Sequence, residues 1–320
     1  MEEKKKTARE IIEGYDGPPV RIMEVCGTHT HEIFRLGIRK LLPEQVELIS
    51  GPGCPVCVTQ VGFIDEAIYL ALERQVTICT FGDLVRVPGT NMSLAGAREK
   101  GAKIRIVYSP VDAKEYAKEH PKEQVTFLSV GFETTTPSAC LSVKKAREEG
   151  LTNYSILTAN KTMPQAYEAL KGSADIFLYP GHVNAITGTK LCEELAKEGV
   201  SGVVAGFTAK ELLTALAVAL ARFQEGRPFF VNCYPRVVTE NGSPQAQKLV
   251  EEMMEPCDSE WRGLGVIKGS GMRLQEEWSA FDARKKYKIP PIQGKANPAC
   301  RCGDVLQGKC KPSDCKVFGK

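Results

Sequence analysis

Short runs rich in valine and isoleucine alternate with longer amphipathic stretches over the first three-quarters of the chain. Residues 20–25, 46–49, 76–81 and 103–108 read as strands, with helices over 31–42 and up to about Arg74 between them. The runs are near-continuously apolar rather than alternating, as in parallel strands covered on both faces. The series resumes at 125–130 and continues through 154–159, 176–179, 202–207 and 228–234, with helices up to Gly150 and over 208–226. Such alternation predicts parallel sheets joined by right-handed crossovers. A break near 109–120 divides the series into two α/β domains, 1–112 and 113–238. Nearly every polar loop follows the C-terminal end of a strand, where open α/β sheets bind ligands, so these loops are expected to face one cleft between the domains. Beyond Val238 the pattern stops. One amphipathic helix over 243–255 leads into a segment of little periodicity, and 239–320 is expected to be a third, irregular region supported by metal.

The length of 320 residues suits two or three domains. With 42 basic and 39 acidic side chains the net charge is +3, too small for a nucleic-acid footprint. Lys4-Lys5-Lys6 and Arg284-Lys285-Lys286 read as solvated faces. The longest apolar run, 212–223, is broken by Thr214 and Arg222 and falls short of the ~20 residues of a membrane span. The charged start lacks the apolar stretch of a signal peptide, so a cytoplasmic protein without membrane contact is expected. In a reducing compartment twelve cysteines point to metal or redox work rather than to a disulfide framework.

Three groups carry that chemistry. Cys26-Gly-Thr-His-Thr-His sets a thiol and the imidazoles of His29 and His31 within six residues, a donor set suited to iron or zinc. A following helix N-terminus is expected to lower the Cys26 pKa. Gly51-Pro-Gly-Cys-Pro-Val-Cys57 reads as a redox dithiol, Cys54 and Cys57, opening a helix; zinc completed by Cys26 and His29 is the alternative. Cys300, Cys302, Cys310 and Cys315 lie within sixteen residues and suit a 4Fe-4S cluster or zinc. Cys79, Cys140, Cys192 and Cys233 read as core residues, with Cys257 in a loop. Glu133, in Gly-Phe-Glu-Thr-Thr-Thr-Pro, and His182, in Tyr-Pro-Gly-His, are candidate proton donors or partners of a metal-bound thiolate; Asp83 and Arg86 are similar candidates. No glycine-rich nucleotide fingerprint, P-loop or nucleophile elbow is present.

Taken together, Cys26-Gly-Thr-His-Thr-His, Gly51-Pro-Gly-Cys-Pro-Val-Cys, Phe81-Gly-Asp, Gly131-Phe-Glu-Thr-Thr-Thr-Pro, Tyr179-Pro-Gly-His-Val, Trp261-Arg-Gly-Leu-Gly, Phe281-Asp-Ala and Cys300-x-Cys-Gly with Cys315-x-x-Phe-Gly resemble the HypD family of hydrogenase maturation proteins. The resemblance implies an assembly scaffold rather than a conventional turnover enzyme. A HypC-type small chaperone would pair with it, and together they would hold the iron on which two cyanides and one carbon monoxide of nickel–iron hydrogenase are assembled. A HypE-type partner would deliver cyanide. By the same resemblance Cys26 would be the iron ligand, Cys54 and Cys57 a dithiol–disulfide pair, and the C-terminal cysteines the ligands of a 4Fe-4S cluster feeding electrons to that pair. Family chains continue past Phe318 into a further cysteine-bearing tail, and Cys310 stands where the family has another residue. A cytoplasmic thiol–disulfide oxidoreductase using Cys54 and Cys57 alone, and a structural zinc protein, are the competing readings.

Overall fold

Residues 6–318 are described by the computed structural model, which leaves Lys4 and Lys5 of the first basic run outside. Among them eleven strands form: β1 Val20–Glu24, β2 Val46–Ser50, β3 Thr77–Thr80, β4 Ile104–Ile106, β5 Val125–Gly131, β6 Tyr154–Lys161, β7 Ile176–Pro180, β8 Ser201–Ala205, β9 Phe230–Asn232, β10 Met254–Trp261 and β11 Gly265–Leu274. The α/β class with parallel sheets is as the apolar runs predict. β5, β6, β7 and β8 are buried at every position, so both faces are covered.

Sheet membership does not follow the sequential division at 112 and 238. One sheet has the order β2-β1-β7-β8-β9 and is parallel throughout. The other runs β10-β11-β6-β5-β3-β4, parallel except where the β10–β11 hairpin joins β6 antiparallel. The chain divides into two interleaved units: residues 1–54, 167–244 and 303–314, and residues 55–166, 245–302 and 315–320. Strand–helix alternation identifies the first nine strands but does not say which ones become neighbours.

In the first unit the helix Ala209–Phe223 lays Leu212, Leu216, Ala219 and Leu220 on a core that includes Ile22, Ile176, Leu178 and Val203. Its start is fixed by a capping box, Thr208 with Glu211. In the second unit the stretch read as a domain break is the helix Pro110–Glu119. It has its own capping box, Ser109 with Asp112, and proline in its first turn. It links β4 to β5 within one sheet.

The region after Val238 is more ordered than its sequence suggests. The helix Pro244–Met253 forms near the expected place, and β10 and β11 then extend the second sheet. Between its buried ends β10 alternates half-buried and exposed positions, as suits the edge strand of that sheet. Arg284 is not on a solvated face: its guanidinium reaches both Glu66 carboxylate oxygens, the nearer at 2.7 Å, and the Thr158 carbonyl at 3.0 Å. No helix is long and apolar enough to cross a membrane among the described residues.

Candidate functional site

In the first unit β1 ends at Glu24, and Cys26 is the N-cap of the helix Gly27–Arg35. The helix begins four residues before the start the sequence predicts, because the Cys26 carbonyl accepts the Thr30 amide at 3.1 Å. The polar Gly-Thr-His-Thr segment therefore forms its first turns. His29 turns inward and is fully buried, whereas His31 lies on an exposed face, so the two imidazoles and the thiol are not gathered into one donor set. Among the described residues no group of three or more His, Cys, Asp or Glu is arranged to hold a metal ion.

Cys26 itself is buried. Burial raises its pKa, although the His29 and Thr28 amides and the Thr28 hydroxyl of the following turn pull the other way. The expected lowering by the helix end is present but loses to desolvation. A ligated metal reverses that balance, since coordination deprotonates a thiol outright. The Gly51–Gly53 loop is laid against this turn. The Gly53 carbonyl accepts the Gly27 amide at 3.0 Å, and a Cβ on Gly27 would sit 3.3 Å from that of Cys54.

His29 Nε2 is 3.0 Å from the Gly206 carbonyl. A carbonyl only accepts, so the neutral ring carries its proton there and Nδ1 keeps a lone pair. That Nδ1 is enclosed without a partner among the described residues. Burial, with His182 adding to it, pushes the His29 pKa down to about 4. His182 is not in a turn: it lies in the first turn of the helix Gly181–Thr187, and burial lowers its pKa as well. Phe207 has its ring centroid 4.8 Å from the His29 ring and 5.1 Å from the His182 ring. Both imidazoles are thus neutral at physiological pH, able to accept a proton or a metal but not serving as standing cations.

In the second unit Cys57 is exposed in the turn 55–58, and the following helix starts only at Val61. The dithiol motif therefore precedes the helix instead of opening it. Arg262 holds this turn from β10's end. Its amide donates to the Val58 carbonyl at 2.8 Å, its Nε to the Thr59 carbonyl at 2.8 Å and its Nη2 to the Pro88 carbonyl at 3.2 Å. The neighbouring Trp261 is fully buried, stacked on Phe132 and bonded through Nε1 to Ser270 Oγ at 2.7 Å.

Cys300 and Cys302 bring their sulfurs to 3.1 Å, and the Arg301 amide donates to the Cys315 sulfur at 3.4 Å. The pKa of Cys302 is pushed up to about 11, by burial first and then by the Cys300 and Cys315 thiols. Cys315 is lowered by amides of Arg301, Val317 and Phe318. Three soft donors, with amides aimed at one of them, have the donor chemistry of a cluster site, although among the described residues they are not arranged to hold a metal ion. Cys310 falls in the 303–314 segment, which belongs to the first unit. Gly308 of that segment packs on Ile49 and Arg21.

Glu133 follows β5. Its Oε1 accepts the Met163 amide at 2.8 Å, while Oε2 is enclosed and has no partner among the described residues. Burial raises its pKa from 4.5 to about 7. The folded protein then holds this proton up to about pH 7 while the unfolded chain releases it near 4.5, so the stabilisation is full below 4.5 and is lost as pH rises through 7. Glu133→Gln, neutral throughout, is expected to match the wild type near pH 4 and to exceed its stability by roughly 3 kcal/mol near pH 8. Urea unfolding across that range checks it; parallel curves for the two proteins would show that the carboxyl ionises freely.

A family model described as HypD, hydrogenase formation hypA family, matches residues 2–320. The chain belongs to the HypD family. Hydrogenase maturation factor HypD of Escherichia coli strain K12 is 42% identical over 309 residues, covering 94% of this chain and 82% of the relative. The HypD protein of Rhodobacter capsulatus is 42% identical over 312 residues, covering 94% and 83%. That of Rhizobium leguminosarum bv. viciae is 42% identical over 331 residues, covering 98% and 86%.

Three charged residues of this HypD-family chain, one in the first unit and two in the second, escape a reading by motif. Glu24, fully buried at the end of β1, receives Arg39 at 2.6 Å and the Ser50 hydroxyl at 3.3 Å two residues before Cys26. Lys161, fully buried at the end of β6, donates to Ser259 Oγ at 2.6 Å and the Glu260 carbonyl at 2.7 Å, and burial lowers its pKa to about 7. Arg262 is the third. The available signal was a charged residue terminating an apolar strand, as in Val-Arg-Ile-Met-Glu24 and Leu-Thr-Ala-Asn-Lys161. Asp83 and Arg86 are exposed on the 3-10 turn Gly82–Arg86. Cys79, Cys140 and Cys192 are core residues as expected; Cys233 is half-buried, and Cys257 lies on β10, not in a loop.

Proposed function

We propose that the chain is an assembly scaffold for the iron centre of nickel–iron hydrogenase, acting with a HypC-type small chaperone, and that iron carrying two cyanides and one carbon monoxide is its cargo. Membership of a family whose relatives are named hydrogenase maturation factors supports the setting. The observation that carries the reading is Cys26. It is a buried thiol just past a strand end, at the N-cap of a helix, with an unpartnered imidazole nitrogen three residues on. A thiolate formed there on metal binding would sit at the positive end of the helix Gly27–Arg35. His29 contributes a neutral ring whose proton is fixed on Nε2 by Gly206. A scaffold must also release its iron, and a single protein thiolate shared with a partner's donor is easier to vacate than a closed four-ligand site.

Cys54 and Cys57 form a dithiol–disulfide pair in this reading, and a HypE-type partner delivers cyanide. Glu133, protonated up to about pH 7, is a proton donor in reserve. Cys300, Cys302 and Cys315 would hold an iron–sulfur cluster, which supplies one-electron chemistry when bound.

Complementation tests the proposal. A host lacking its own family member should regain hydrogenase activity when it expresses this chain with the matching small chaperone. A host that stays inactive while the protein accumulates folded would exclude the scaffold role and leave the thiol–disulfide oxidoreductase reading, which needs neither Cys26 nor a partner.

A further inference from the structure

We propose that Arg262 is a positioning residue for the Cys54–Cys57 pair, fixing the turn that carries Cys57 and setting its single positive charge beside that turn. This rests on the reading of Cys54 and Cys57 as a redox dithiol. The geometry is unusual for an arginine. Its donors are spent on backbone carbonyls, of Thr59 and Pro88 through the side chain and of Val58 through its own amide. No carboxylate lies within ion-pair distance of it among the described residues. The fork is therefore held rigidly by neutral acceptors, and its charge is left for the thiols. Burial lowers the Arg262 pKa, and the Cys302, Cys300 and Cys57 thiols, with Asp65, pull the other way.

Fixation comes from the sheet. Trp261 and Thr59 pair in an isolated antiparallel bridge, so the residue before Arg262 and the second residue after Cys57 share backbone contact. Trp261 cannot shift without breaking its stack on Phe132 and its bond to Ser270. A cation anchored in this way favours thiolate over disulfide. Stabilising the reduced form raises the reduction potential of a dithiol.

The balance is simple. Cys54 and Cys57 thiols plus oxidised glutathione give the protein disulfide and two reduced glutathiones: the pair loses two electrons and two protons, and glutathione gains them. Without the charge, the equilibrium constant for that exchange rises about tenfold, equivalent to about 30 mV.

The full chain, purified without oxygen, is equilibrated near pH 8 in glutathione buffers of graded ratio. The peptide carrying Cys54 and Cys57 is then scored by differential alkylation and mass spectrometry. Arg262→Gln is expected to hold about tenfold more disulfide relative to dithiol than the wild type at a given ratio, and Arg262→Lys to stay within about twofold of it. Lysine keeps the charge and loses the fork, so it separates electrostatics from mere anchoring. Equal constants for Arg262→Gln and wild type would overturn the proposal, as would an Arg262→Lys shift as large as that of Arg262→Gln. A wild-type pair that stays reduced at every ratio would instead remove the dithiol reading beneath it. Arg262→Met, also uncharged, replaces Arg262→Gln should that variant fail to fold, with circular dichroism as the check.

Discussion

Cys26→Ala is expected to abolish iron retention and to drop hydrogenase maturation at least a hundredfold, while leaving the fold nearly intact. The thiol is buried at the N-cap but makes no side-chain cap bond, so its loss removes one apolar atom's worth of packing and no capping contact. The stability cost is about 1 kcal/mol. Loss of the sulfur at that turn, by contrast, removes the proposed ligand itself. Cys79→Ala is the matched control. Its thiol is fully buried in β3, burial pushes its pKa to about 12, and it has no place in the site. It should cost comparable stability and leave maturation unchanged. Iron analysis of the purified complex and a hydrogenase assay decide; equal effects of the two substitutions would show that Cys26 matters only as packing.

Gly53→Ala is expected to be among the most damaging single-methyl changes in the chain. A Cβ at position 53 would stand 2.1 Å from the Cys26 nitrogen, 2.2 Å from its Cα and 2.5 Å from the Val25 carbonyl carbon. All three are backbone atoms at the end of a central strand, so no rotamer change relieves the overlap. The loop must lift from the turn, breaking the Gly27–Gly53 hydrogen bond and separating Cys54 from Gly27. A loss of roughly 3 kcal/mol or more follows, in the range of severe core and backbone lesions. Gly51→Ala meets only the Met23 side-chain end at 2.7 Å and the Glu24 carbonyl at 3.3 Å. Methionine bends away readily, so that variant should lose about 1 kcal/mol. Urea unfolding distinguishes them; similar midpoints for both variants would contradict the tight apposition of the two loops.

Much of this was written in the sequence. Strands such as 125–131 are buried on both faces, which leaves short runs rich in valine, leucine and phenylalanine without polar alternation. The cysteine and histidine motifs were legible because their residue types are chemically rare at such spacing. The start of the helix at Gly27 was not, since Thr28, His29 and Thr30 carry no apolar stripe and the turn is set by contacts with Gly53 and Gly206. The β10–β11 hairpin was hidden by glycines at 265, 269 and 271 and by acidic residues along an edge strand, both poor strand signals. Glu24, Lys161 and Arg262 were missed for a common reason. Each is a single charge whose meaning comes from residues far away in the chain: Arg39 for Glu24, Ser259 for Lys161, Thr59 for Arg262.

Infrared spectroscopy tests the scaffold claim most directly. The chain is co-expressed with a HypC-type chaperone and the other maturation partners and purified without oxygen. Stretching bands of iron-bound cyanide and carbon monoxide, present in the wild type and absent from Cys26→Ala, are the predicted result. A partner-bound complex that shows no such bands, or bands that persist unchanged in Cys26→Ala, would contradict it.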